Sequence, residues 1–330
     1  MTTSIDSAAP AASIGARSDA SPDTSAERFA DVRPMRVAVV IATKGRPTAI
    51  PKALEFLARQ TVRPDLVVLS ATCEADIAPW TCDELDVRSI YGSAGSSAQR
   101  NRGLDTLDRL DSLGQGFDVV IFFDDDFAPC RDWVARCAQA FERNPSLLGM
   151  SGRTLRDGAA TEPVSWDEAL NITSEADTGT APAAALTPCS SLYGCNMAVR
   201  LSAIGSARFD ERLVLYGWLE DKDFSRRVAA GGALAICDAL RGVHLGLVGG
   251  RVSGKKFGYS QVVNADYLRR KGVMSRKEAA SNIARALIMN SLKSIRPEAH
   301  LDRRGRLIGN VIGVAAICFG SGNPERAARL

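Results

Sequence analysis

The segment Val119-Val120-Ile121-Phe122-Phe123-Asp124-Asp125-Asp126-Phe127-Ala128-Pro129 runs five apolar residues straight into three carboxylates and then a turn. A short, unbroken apolar run bounded by turn signals fits a strand buried on both faces. Acids at the C-terminal end of such a strand lie at the mouth of an α/β sheet, where ligands bind. Adjacent carboxylates repel, so grouping them costs stability unless a proton or cation offsets the charge. A hard divalent cation, Mg²⁺ or Mn²⁺, holding substrate phosphates would do so. A solvated acidic loop after an ordinary strand is the other reading of these three acids taken alone.

The flanking sequence supplies the rest of an α/β pattern. Arg36–Ala42 and Leu66–Ala71 read as buried strands. Between them lie the loop Thr43-Lys44-Gly45-Arg46-Pro47 and a helical spacing of Ile50, Ala53, Leu54 and Leu57, with Pro47 placed to start the helix. Strand, helix, strand is the unit of a parallel sheet. Further strands are expected at 87–91, 118–123, 147–155, 192–200 and 233–237, and helices near 97–112, 132–142 and 220–230. Residues 157–188 are polar with weak periodicity and are expected to form a long functional loop. From Tyr259 on, the pattern is helical, at 259–271, 276–295 and 303–319, with a short helix after Pro324. Residues 1–34 are rich in Ala, Ser, Asp, Thr and Pro and are expected to be disordered. The expected organisation is that segment, an α/β catalytic domain over 35–250 and a helical C-terminal extension over 251–330.

Bulk properties narrow the class. With 45 % hydrophobic and 24 % charged residues the composition is that of a soluble globular protein. A net charge of +3 is too weak to argue for nucleic acid. Eight scattered cysteines without a C-x-x-C pair give no zinc spacing, and a disulfide framework is not expected in a chain this long. No apolar stretch has the form of a signal peptide or the length of a membrane span, and Leu307–Phe319 is short and contains Asn310. The expected location is therefore cytoplasmic. Basic clusters at Arg269, Arg270, Lys271, Arg276, Lys277, Arg303, Arg304 and Arg306 lie near an apolar helix. They either hold a peripheral contact at the inner face of the cell membrane or form a solvated face.

Three more places carry chemistry. Arg100-Asn101-Arg102-Gly103-Leu104 follows a Gly/Ser turn at a helix start, where backbone N–H groups and guanidinium groups suit a phosphate or nucleotide. Gly217-Trp218-Leu219-Glu220-Asp221-Lys222-Asp223 places three acids in one helical turn. Glu220 and Asp223 share a face there, and Asp221 points elsewhere. Two acid clusters far apart in sequence suggest a metal site plus a general base, although helix N-termini favour acids in any case. His244, one of two histidines, ends a strand and is either a structural residue or a metal ligand.

Taken together, these segments resemble the family 2 glycosyltransferases, inverting enzymes with the GT-A nucleotide-sugar fold, over roughly residues 36–245. The carriers occur in the family's order: Val39–Pro47, Gln99–Leu104 (its R-N-x-G segment), Asp124-Asp125-Asp126 (its D-x-D motif), Gly194-Cys195-Asn196-Met197-Ala198-Val199-Arg200 (G-x-N-x-A-x-R), and Phe209-Asp210-Glu211 followed by Glu220-Asp221-Lys222-Asp223 (F-D-E … E-D-x-D). Gly258-Tyr259-Ser260-Gln261, Asn264, Tyr267 and Lys271-Gly272 look like the extension of bacterial members that build surface polysaccharides. One position departs. Many members hold the base with an Asp just after the second strand, and here that place reads Ser70-Ala71-Thr72, with acids at Glu74 and Asp76.

The resemblance implies transfer of a sugar, with inversion, from a nucleoside-diphosphate sugar to a hydroxyl of a sugar or lipid-linked oligosaccharide. Asp221 would be the base, aided by Glu220. Thr43, Lys44, Arg46, Arg100, Asn101, Asp124 and Asp125 would serve the donor, and Asn196 and Trp218 the acceptor side. Asp124, Asp126 and His244 would hold Mg²⁺ or Mn²⁺. Three rivals remain at the level of sequence: a nucleotidyltransferase, a phosphohydrolase using Asp124 and Asp126, and a non-catalytic sugar-binding protein.

Overall fold

The computed structural model describes residues 33–81, 83–179, 182, 184–249 and 252–330. All but the last two residues of the segment expected to be disordered lie outside the described residues. Nine strands form one sheet: β1 Val37–Ala42, β2 Leu66–Ala71, β3 Val87–Tyr91, β4 Val119–Asp124, β5 Phe127–Pro129, β6 Leu147–Asp157, β7 Leu186–Pro188, β8 Asn196–Arg200 and β9 Ala233–His244. Their order is β3-β2-β1-β4-β8-β6-β9-β5, with β7 also paired to β9. The β1–β2, β1–β4, β2–β3 and β6–β9 pairs are parallel, and β8, β5 and β7 run against their neighbours. The architecture is thus the expected mixed α/β one, a mostly parallel sheet flanked by helices.

Why the strands are continuous apolar runs follows from the layers. Val37, Val39 and Ile41 of β1 pack with Val119, Ile121 and Phe123 of β4 against the helices α1 (Ala49–Ala58) and α3 (Trp133–Arg143). The alternate residues Ala38, Val40, Val120 and Phe122 face α2 (Ser96–Ser112) and α6 (Glu220–Val228). Side chains alternate across a strand, so a sheet covered on both faces needs apolar residues at every position. Phe122 anchors the second layer, edge-on to Phe209 at 5.3 Å and Phe224 at 6.1 Å.

Several elements differ from the sequence reading. The turn expected at Phe127-Ala128-Pro129 is β5, antiparallel to the end of β9. β9 runs on to His244 instead of stopping at Cys237, with a register shift against β6 between Gly152 and Arg153. The expected 157–188 loop contains a helix, α4 (Trp166–Thr178), capped by Ser165, whose hydroxyl accepts from Glu168 N at 3.2 Å. That S-x-x-E capping signature is legible in the sequence and outweighs the weak apolar periodicity. Pro47 lies one residue before the N-cap Thr48 of α1 rather than inside the helix. The short helix α5 (Leu201–Ile204) follows β8.

The C-terminal helices are α7 (Gly254–Arg270), α8 (Arg276–Lys293) and α9 (Arg303–Cys318), and they pack on one another and on the region around α6. Glu278 of α8 accepts from Lys222 Nζ at 2.9 Å and from Arg226 Nη2 and Nη1 at 2.7 and 3.0 Å. The hydrogen bonds from Arg226 outweigh the opposing effect of burial and, with Lys222, hold the Glu278 carboxyl down at about 2. A carboxyl depressed in the folded state stabilises above its unfolded pKa and loses that contribution as pH falls through the folded one. Glu278→Gln should therefore lower the unfolding free energy at pH 7 by about 1 kcal/mol. In urea denaturation the gap to the parent should close between about 4.5 and about 2; a gap independent of pH would refute the assignment.

Candidate active site

The C-terminal ends of β1, β4, β6 and β9 lie at the same edge of the sheet, because those strands are parallel. β8 runs the other way, so its leading residues Gly194 and Cys195 arrive at that edge too. The sheet thus gathers Thr43, Asp124, Asp157, Gly194 and His244 from five separate stretches, and the first turns of α2 and α6 add Arg100, Glu220 and Asp221.

Asp124, Asp126 and His244 form one cluster, with a ligand atom of each within 4.8 Å of the others. His244 Nε2 faces Asp126 Oδ1 at 3.5 Å and Asp124 Oδ2 at 3.8 Å. The other ring nitrogen, Nδ1, is 3.0 Å from Asp157 Oδ1, and Tyr193 donates its hydroxyl to Asp157 Oδ2 at 2.9 Å. A carboxylate only accepts, so Nδ1 carries a proton, and Nε2 faces the two acids, donating to them when the ring is charged and open to a cation when it is neutral. Each acid keeps one oxygen for the cluster. Arg100 takes Asp124 Oδ1 at 2.9 Å, while Arg46 and Leu247 N take Asp126 Oδ2 at 2.9 and 2.8 Å. Two carboxylate oxygens and an oriented imidazole nitrogen fit a divalent cation.

Charge crowding shows in the titration of these groups. Burial opposes ionisation of Asp126, but the hydrogen bond from His244 and the charge of Arg46 overcome it and hold the carboxyl far below its ordinary range. Burial pushes its neighbour Asp125 up to about 7, against the pull of Arg46. Burial likewise opposes a charge on His244, yet Cys195, Asp126 and Asp157 together push its pKa well up. A proton on His244 and a divalent cation would answer the same excess of negative charge, and taking up such an ion would release the proton.

Arg100 is buried, and its guanidinium spans the two acid clusters. It donates to Asp124, to Gly194 O at 3.0 Å and to Glu220 Oε1 at 2.5 Å. Asp221 lies beside this bridge, half-buried, accepting from Gly194 N at 3.0 Å and Lys222 N at 2.7 Å. A Cβ on Gly194 would sit 3.3 Å from Asp221 Cβ and 3.4 Å from the Arg100 guanidinium, so the close approach depends on glycine. Burial pushes both Asp221 and Glu220 upward, Glu220 to about 8 with Asp221 adding to the shift and Arg100 resisting it. Beside them is a cavity of about 250 Å³ lined by Arg100, Asp124, Tyr193, Trp218 and Asp221, among others.

Not every residue singled out in the sequence reaches this cavity. Thr43 is buried and donates to Asp125 Oδ2 at 2.7 Å. Arg46 pairs with Asp125 Oδ1 at 2.5 Å as well as with Asp126. These two residues hold the acid cluster from behind. Lys44 is exposed in the β1–α1 loop. Asn101 is turned away, donating to Phe209 O and Glu211 Oε1 and accepting from Phe209 N, so it clamps the 209–211 segment. Asn196 is buried and donates to Gly152 O at 3.3 Å, and its Oδ1 has no partner among the described residues. Trp218 reaches the cavity wall, edge-on to Phe257 of α7 at 5.3 Å. Asp223 points away from the cavity to Lys271 and Arg227.

Asp157 and Tyr193 are parts of the site that the sequence did not mark, and Gln99 lay in the marked 99–104 segment without a role assigned to it. Gln99 donates to both Thr43 O and Ser70 O, at 2.7 and 2.6 Å, and so ties the ends of β1 and β2 together. Asp76 accepts from Gly45 N at 2.7 Å and from Thr72 and Cys73, fastening the two loops above those strands. Only tertiary pairing reveals these roles.

No family model and no curated protein matches the chain. Among solved structures, S. aureus TarS 1-349 is similar at 14 % identity over 90 % of this chain and 83 % of that one, with a TM-score of 0.46. TarS 1-349 in complex with UDP-GlcNAc gives 15 % identity, 90 % and 84 % coverage and a TM-score of 0.47. The complex with UDP gives 13 %, 89 % and 91 %, and 0.44. Identities and TM-scores this low decide nothing about activity.

The tether on His244 is open to test. Asp157→Asn removes the carboxylate that fixes the ring and should weaken Mn²⁺ binding 10- to 100-fold. Titration calorimetry reads this directly, and an unchanged affinity would leave Asp157 with a packing role only.

Proposed function

We propose that the chain is a glycosyltransferase of the family 2, GT-A type. It would move a sugar from a nucleoside-diphosphate sugar to an acceptor hydroxyl with inversion, in polysaccharide or glycolipid assembly. Residues 35–250 would form the catalytic domain and 251–330 its helical extension, and the enzyme would work in the cytoplasm. The observation that carries the reading is one cavity lined both by Asp124 of the acid–histidine cluster and by Asp221, with Arg100 bridging Asp124 to Glu220 beside it. A donor diphosphate and an acceptor hydroxyl need that separation of duties.

Asp124, Asp126 and His244 would hold Mg²⁺ or Mn²⁺, which when bound neutralises a leaving diphosphate. Asp221 takes the proton of the acceptor hydroxyl as its oxygen attacks the anomeric carbon from the face opposite the nucleotide. The new C–O bond forms as the bond to the diphosphate breaks. One displacement inverts the centre, so no covalent sugar intermediate is required. The Gly194 and Lys222 amides fix the Asp221 carboxylate, and Arg100 keeps Glu220 and Asp124 at a set separation. Trp218 offers an apolar face on the acceptor side. A phosphohydrolase would attack with the Asp124 oxygen that Arg100 leaves free, and that oxygen is the one turned to His244. For a non-catalytic binder, a carboxyl raised by burial at the cavity wall would have no use.

Thermal denaturation with UDP, GDP, TDP or CMP, each with and without Mn²⁺, tests the donor half. A ligand that binds the native state raises the melting temperature. A rise with one nucleoside diphosphate that requires the metal is expected, and no rise with any of them refutes the reading.

Asp221→Asn tests the base. It should lower transfer by a factor of about 10² to 10⁴ and leave the nucleotide-induced shift intact. Because burial raises the Asp221 pKa, the parent rate should climb with pH through a limb above the ordinary carboxylate range near 4. A pH–rate profile flat across that limb, or a fully active variant, removes Asp221 from the role.

A further inference from the structure

Helices α8 and α9 form an antiparallel hairpin on α7. Asn290 donates to Asn310 Oδ1 at 2.8 Å, and Arg304 Nε donates to Ser294 O. The inward side is small or polar: Ala286 and Asn290 on α8, and Gly309, Asn310, Gly313 and Ala316 on α9 are buried. A Cβ on Gly309 would meet Lys255 O at 2.1 Å, so α9 lies directly on the α7 backbone.

The outward side is apolar. Ile288 and Leu292 lie a turn apart on α8, with Ile295 just past its end, and Ile308 and Val311 lie a turn apart on α9, with Phe319 at its C-terminal cap. All six are between 55 % and 85 % exposed. Isolated exposed hydrophobics are ordinary, but six of them on two packed helices, turned away from the buried residues of each, expose apolar surface that water disfavours.

The charges on these two helices choose its occupant. Between Ala279 and Pro297, and again between Arg303 and Asn323, the chain has no acidic residue. Arg285, Arg296 and Arg304 are exposed on the hairpin. A two-fold interface with a second copy would set this basic, acid-free surface against itself. An anionic bilayer meets both properties, apolar side chains entering the acyl boundary and arginines pairing with headgroups. Among the described residues no helix is long and apolar enough to cross a membrane, and the proposed contact lies in the interface plane.

We propose that the outward face of α8 and α9 docks the protein on an anionic lipid surface. Phe257 of α7 packs on Trp218 at the cavity wall, and Asn264 of the same helix donates to Trp218 O at 2.8 Å. The docking helices therefore rest on the element that braces the candidate acceptor side.

Co-sedimentation of the full chain with vesicles tests this without any donor or acceptor, so it succeeds or fails separately from the transferase reading. The parent should bind mixed phosphatidylcholine–phosphatidylglycerol vesicles at low salt, bind pure phosphatidylcholine far less, and release as salt screens the headgroups. Leu292→Asp and Val311→Asp should each reduce binding at least about tenfold, and Arg285→Ala or Arg296→Ala roughly fivefold. All four positions are exposed, so circular dichroism and the melting temperature should match the parent. Failure of the folded parent to bind anionic vesicles, or unchanged binding by Leu292→Asp and Val311→Asp, overturns the proposal. So does a concentration-dependent dimer in sedimentation that Leu292→Asp dissolves, which would give the face to a second copy.

Discussion

Six carboxylates, Asp124, Asp125, Asp126, Asp157, Glu220 and Asp221, converge at one edge of the sheet around two guanidinium groups and one imidazole. With every acid ionised and His244 protonated, three negative charges are left uncompensated. Taking such charges out of water costs several kcal/mol each before pairing. Burial, with the neighbouring acids adding to it, pushes Asp125, Glu220 and Asp221 upward, while the hydrogen bond from His244 and the charge of Arg46 pull Asp126 down. The uncompensated charge is what a divalent cation would satisfy. Arg100 is the keystone of this arrangement, because its guanidinium donates to both Asp124 and Glu220.

Much of this was legible in the chain, for definite reasons. The run from Val119 to Phe123 is apolar at every position because both faces of the sheet are covered, and the acids follow because the strand ends there. The acid clusters at 124–126 and 220–223 and the lone His244 stood out by residue type alone. What stayed hidden depends on pairing across many residues. Asp157 becomes part of the site only because β6 and β9 are parallel and bring it level with His244. Arg46, Arg100 and Asn101 look alike as polar residues beside turns. Yet Arg46 backs the acid cluster, Arg100 bridges the cavity and Asn101 faces Phe209. No local pattern separates those fates. The helix α4 was a different failure, since its Ser165–Glu168 cap is a local signal that weak apolar periodicity concealed.

The acidic turn at the start of α6 also shows how one motif divides its labour. Glu220 turns inward to Arg100, Asp221 stays at the cavity, and Asp223 is buried against Lys271 and Arg227. Lys271 also reaches Asp210 at 2.6 Å, so the end of α7 is joined to both acid-bearing segments. The C-terminal helices are therefore part of the frame that orients Asp221.

That frame has something to restrain. Leu215 and Leu219 adopt left-handed backbone angles, φ 64° and 73°, on either side of Gly217 at 71°. Such a conformation in a non-glycine residue costs of order 1–3 kcal/mol and persists only where surroundings enforce it. The enforcing contacts can be named: Ser96 N and Oγ donate to Leu215 O and Tyr216 O, and Asn264 donates to Trp218 O. Gly217 is irreplaceable on steric grounds as well, since a Cβ there would lie 2.6 Å from Ser96 Oγ. The strained turn leads straight into Glu220 and Asp221, the first two residues of α6. Asn264 of α7 braces it through Trp218 O, which ties the start of α6 to the C-terminal helices.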